Sequence, residues 1–167
     1  MRPSAYVCSA AAAGLIFAAM TTSGHGGGGI LPASMASAPG IGSGGSVSQV
    51  QWARDFLAAI REPGTPCNQD AIVAWEQEEG GGVTNDAAYN PLNTAKHEPG
   101  SWPIPGNPDD VQAYPSYAEG LQANTAAITN GLYGGILSAL SAGDNASAVA
   151  AAVDDSPWGT HGLSANC

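Results

Sequence analysis

Positive charge is nearly missing from this chain. Lysine and arginine total 4 among 167 residues, against 14 aspartates and glutamates, leaving a net charge of −10. Nucleic acid and anionic membrane surfaces attract proteins through basic patches, so neither is expected as a partner. Charge of either sign is sparse, at 11% of residues. Histidine is confined to His25, His97 and His161, which stand apart and form no H-E-x-x-H or C-x-x-C frame. No metal and no cofactor is therefore expected. The apolar run "VCSAAAAGLIFAAM", residues 7–20, is short for a membrane helix, which needs roughly 20 apolar residues.

That run has another use. Behind the positive Arg2 and ahead of small residues it has the build of an export signal. Cleavage after Gly24 or Ala36 is compatible with the small side chains there, and an uncleaved membrane anchor is the alternative. The chain thus divides into a signal or anchor (1–24), a Gly/Ser/Ala/Pro linker with no face to bury (25–45), and a folded domain (46–167). A secreted or cell-wall-associated protein is expected, membrane-anchored if the signal stays. Cys8 lies in the signal, which leaves Cys67 and Cys167 as an even pair in an oxidising compartment. Bridged, they close a loop of about 100 residues, worth roughly 4–5 kcal/mol by chain entropy. Two free thiols are the other reading.

Within 46–167 the periodicity is helical. Ser48 and Gln51 fit a capping box before the stripe Trp52, Ala53, Phe56, Leu57 and Ile60, which Pro63-Gly64 closes. Thr65-Pro66 starts a second helix with Ala71, Ile72, Val73 and Trp75 as its apolar side and the glycines 80–82 as its end. Residues 83–113 show no sustained period. Seven glycines and prolines fall between Pro91 and Pro108, so a long loop with room for a short hairpin is expected. Ser116 and Glu119 fit a second capping box, ahead of Leu121, Ala127 and Ile128. Two short helices follow, around Ile136–Leu140 and after Asp144 or Asn145. The expected fold is mainly α, around one long irregular or hairpin insert.

The second helix ends in an acid cluster, "AWEQEEGGG". Trp75 and Glu79 stand four apart and share a helix face. A carboxyl beside a buried aromatic loses solvation, its pKa rises, and it can serve as a general acid near neutral pH. The following glycines open the approach for a bulky substrate. Glu78 is the second choice for the acid. Glu76 and Glu78 are otherwise expected to be solvated. A glycosidase usually needs a second carboxylate. Asp86 is the nearest on the loop, Glu98, Asp109 and Asp110 are expected to face water, and Glu119 is accounted for by its cap. Tyr89, Trp102, Tyr114 and Tyr117 are aromatics able either to stack on sugar rings or to form a core under the loop.

The segments "AWEQEEGGG…AAYNPLNT", "YPSYAEGLQA" and "SPWGT" together resemble a small lysozyme-like domain of actinobacterial secreted proteins and phage tail or lysin proteins. That family belongs with the lysozymes, glucosaminidases and lytic transglycosylases. The most specific elements are Trp75, Glu79, Gly80 and Gly81, followed by the run Asn90 to Thr94. The resemblance implies a lysozyme-like helical fold, a peptidoglycan glycan strand as partner, and a monomer. It implies that Glu79 is the catalytic acid. It also implies that Asn90, Leu92, Asn93 and Thr94 line the sugar cleft, with Tyr114 and Tyr117 in the aromatic stretch beyond and Trp158 in the closing turn. Lytic transglycosylases manage without a second carboxylate because the substrate's own hydroxyl attacks, which suits a chain that offers no clear partner for Glu79. A wall-binding module that has kept the fold and lost the chemistry is the alternative.

Overall fold

The computed structural model describes residues 47–80 and 86–167. The segments read as signal and linker lie outside the described residues, as do Gly81 and Gly82. Among the described residues five helices carry the fold: α1 (Gln49–Ala59), α2 (Pro66–Glu78), α3 (Tyr117–Ile128), α4 (Gly134–Ala142) and α5 (Ala146–Asp154). One antiparallel pair, β1 (Trp102–Pro103) and β2 (Gln112–Ala113), lies between α2 and α3. The mainly helical architecture is the expected one, and the insert holds the short hairpin. Among the described residues no helix is long and apolar enough to cross a membrane.

Side chains start four of the five helices. Ser48, Thr65, Ser116 and Asn145 each accept a hydrogen bond from the backbone N–H three residues on, satisfying a donor the helix itself leaves open. The stripe on α1 is buried as its spacing predicts: Trp52, Ala53, Phe56, Leu57 and Ile60 all lie in the core. α1 ends before Pro63. Arg61 adopts a left-handed conformation (φ 63°), and the Arg61 and Glu62 N–H groups bond back to Ala58 O and Leu57 O. This is a Schellman closure with arginine where glycine is usual.

α2 is the central element, packed on α1 and on α5. Its start is clamped to the end of α4. The Thr65 hydroxyl donates to Gly143 O, and the buried Asn68 amide donates to Pro63 O (2.7 Å) and Leu140 O (2.8 Å). Gly143 closes α4 with φ 78°, a conformation glycine reaches without a Cβ clash. The Cys67 and Cys167 sulfurs are at disulfide distance across a sequence separation of 100. The C-terminus is thereby stapled to the first turn of α2.

Candidate functional site

The end of α2 receives chain from two directions. From one side comes the turn Asn90-Pro91-Leu92-Asn93. Asn93 N–H bonds Asn90 O (3.1 Å), Pro91 sits where a β-turn needs φ near −65°, and the buried Leu92 pins the turn in the core. The Asn90 side chain, fully buried, is the hub. Its amide donates to Thr94 O (2.8 Å) and Gln112 O (2.7 Å), while its oxygen accepts from Thr94 N–H (3.0 Å) and the Asn124 amide (3.2 Å). Beside it, Tyr89 holds φ 57°, a costly conformation for a bulky residue. Gly120 on α3 lets the Tyr89 backbone lie close against the helix: a Cβ there would lie 1.9 Å from Tyr89 O. So α3 carries the turn, and the turn carries Asn93, whose amide donates to Glu79 O and braces the last residue of the α2 end.

From the other side comes the C-terminal strap after α5. Trp158 meets Trp75 edge-on with ring centroids 5.1 Å apart, and Tyr133 meets Trp158 at 5.0 Å. Two residues later the Thr160 hydroxyl accepts from the Trp75 indole N–H (3.1 Å) and donates to Glu79 Oε1. Glu79, half-buried at the C-cap of α2, therefore presents its carboxyl to two indoles and a hydroxyl. Burial raises its pKa above the usual carboxylate range, and hydrogen bonds from Thr160, Trp75, Asn93 and Trp158 pull against that rise.

The three acids of "AWEQEEGGG" differ sharply. Glu78 is exposed, as expected. Glu76 corrects its expectation. It is fully buried, neither carboxyl oxygen has a hydrogen-bond partner among the described residues, and burial pushes its pKa up to about 8. The reason is helical geometry: position 76 lies one turn after Ile72, on the face that enters the core. Its charge would be felt by Tyr117 on α3, whose hydroxyl donates to Asp55 of α1 (2.7 Å).

The residues expected to line a sugar cleft separate into three groups. Asn93 stands beside Glu79. Asn90, Thr94 and Tyr114 are buried, with the Tyr114 hydroxyl donating to Lys96 O (2.6 Å). These three shape the loop from within, and a ligand reaches them only if the loop moves. Tyr117 is half-buried and committed to Asp55. Of the aromatics weighed for stacking, Tyr89 and Trp102 are the exposed ones, at 44% and 45%. They flank one strand: Trp102 pairs with Ala113 on one side of β2, and Tyr114 N–H bonds Ala88 O (2.9 Å) on the other. Asp86 is exposed, Asp110 contacts His97 (2.6 Å), and Glu119 accepts from the Ser116 hydroxyl (2.6 Å) in its cap.

Thr160 and Tyr133 were not legible as site residues. The "SPWGT" run points to a turn, but nothing in its spacing says that the turn folds back 81 residues to Glu79. A groove of about 380 Å³ between α5 and the strap is lined by Ala150, Asp154, Leu163 and Ala165 and does not include Glu79. Among the described residues no group of three or more His, Cys, Asp or Glu side chains is placed to hold a metal ion. No family model matches the chain, and no curated protein or solved structure matches it either.

Proposed function

We propose that this chain is a secreted, lysozyme-like protein that cleaves peptidoglycan glycan strands, with Glu79 as its single general acid. The observation that carries the reading is the Glu79 carboxyl itself, half-buried against Trp75 and Trp158 at a helix end and shifted toward the protonated form. A carboxylic acid whose pKa is raised holds its proton to higher pH and can hand it to the bridging oxygen of a β-1,4 glycosidic bond as the bond breaks. Asn93, bonded to the Glu79 carbonyl, holds that residue in place during the transfer.

Among the described residues, the groups that hydrogen-bond the Glu79 carboxyl are Thr160, Trp75, Asn93 and Trp158, and none is a carboxylate. A transglycosylase course, in which the substrate's own hydroxyl attacks the sugar carbon in place of water, is compatible with this set because it needs no second carboxylate. The same observation supports a second reading, a peptidoglycan-binding or assembly module without chemistry.

One experiment separates them. Purified peptidoglycan is incubated with the wild-type protein and with Glu79→Gln, and soluble muropeptides are measured. Release by the wild type and none by the variant is expected, with anhydro ends if the course is transglycosylation. Equal release by both removes Glu79 from the reaction, and sedimentation with the wall without release by either supports the binding module.

A further inference from the structure

Resting on that reading, we propose that Thr160 is a positioning residue for the acid: its hydroxyl, oriented by the Trp75 indole, fixes the Glu79 carboxyl through Oε1. The direction of the relay follows from the donors available. An indole N–H only donates, so at 3.1 Å from Trp75 Nε1 the Thr160 oxygen must accept. Its one proton is then free to go to Glu79 Oε1, where the contact lies. A carboxyl that accepts on Oε1 carries its own transferable proton on Oε2.

The contact gains strength as the reaction proceeds. When Glu79 releases its proton, negative charge develops on the carboxyl, and a donor already in place stabilises that state more than the neutral one. Thr160 is buried, at 8% exposure, so water does not substitute for it. The strap that delivers it is held on both sides. Gly162 N–H bonds Asp154 Oδ1 (3.0 Å), the Ser147 hydroxyl bonds Ala165 O (3.0 Å), and Cys167 joins Cys67.

The test compares Thr160→Val, which removes the hydroxyl at nearly constant shape, with Thr160→Ser, which restores it. The Glu79 carboxyl is titrated by ¹³C NMR, and kcat and KM are measured across pH. In Thr160→Val we expect the Glu79 midpoint and the alkaline limb of the rate profile to move to higher pH, since a donor to the ionised form is gone. We expect kcat to fall about tenfold to a hundredfold with KM unchanged, the range for a hydrogen bond to a charged group. Thr160→Ser should return all three toward wild type. A Thr160→Val protein that folds and titrates like wild type overturns the proposal, and so does a Thr160→Ser protein as impaired as Thr160→Val. If Thr160→Val does not fold, the wild-type Thr160 hydroxyl proton decides: a slowly exchanging resonance that follows the Glu79 titration is expected, and rapid exchange overturns the proposal. The titration needs no turnover. A wild type that releases no muropeptides defeats the enzymatic reading while the Thr160–Glu79 relay is still decided on its own.

Discussion

Glu76 and Glu79 lie three residues apart on the same helix end, and the two sides of that end treat a carboxyl differently. Where α2 faces Tyr117, Glu76 is enclosed by core and has no donor at either oxygen among the described residues. Where α2 faces the strap, Glu79 is half-buried and meets Thr160 and two tryptophans. Burial raises both pKa values. Only at Glu79 is the rise moderated by donors, and only there is the residue partly exposed. Desolvation alone makes a carboxyl hold its proton, and donors with partial exposure make that proton usable.

The largest expected effect breaks the comparison on the strap side. Glu79→Gln should lower muropeptide release by about 10²–10⁴-fold, the usual contribution of a general acid, while the melting temperature changes little. Removing the staple comes next. Cys67→Ala with Cys167→Ala should cost about 2–5 kcal/mol in denaturant unfolding, and the Glu79 resonance should shift as the strap that holds Thr160 loosens.

The core side is tested through pH. Glu76 has a folded pKa raised from 4.5 to about 8. Its contribution to stability is therefore fully present below the unfolded value and is lost as pH rises toward 8, because the folded state holds a proton that the unfolded state gives up. Glu76→Gln, which cannot ionise, should not show this loss. Melting curves between pH 5 and 8 should diverge by a few kcal/mol at the upper end, with the variant the more stable. Parallel curves would mean that Glu76 ionises freely in the folded protein. The smallest effect is expected at the brace. Asn93→Ala should cost about 1 kcal/mol of stability, as for a single hydrogen bond, and broaden the Glu79 resonance.

Local chemistry made much of the fold legible. Ser48, Thr65 and Ser116 mark helix starts because their side chains compete for open backbone donors, a signal that needs no tertiary context. The α1 stripe and the cysteine pair were readable for similar reasons, from spacing and parity. The turn motif Asn90 to Thr94 was visible, but its role was not. The same polar residues suit a sugar-lining loop or a self-satisfied one, and the partners Thr94, Gln112 and Asn124, brought together by the fold, hold Asn90 inward. Glu76 departs from its expected exposure for a related reason. Glutamate is seldom buried without a partner, so composition argued for water where helix geometry placed it in the core. Thr160 lay beyond reach because its contact spans most of the domain.

A ¹³C titration that resolves Glu76 and Glu79 in one sample, with and without a soluble peptidoglycan fragment, probes the division of roles between the two carboxyls. Glu76 should titrate near pH 8 with or without the fragment, and Glu79 should titrate at a raised midpoint that shifts when the fragment binds. A fragment-dependent shift at Glu76, or none at Glu79 when the fragment is bound, would contradict it.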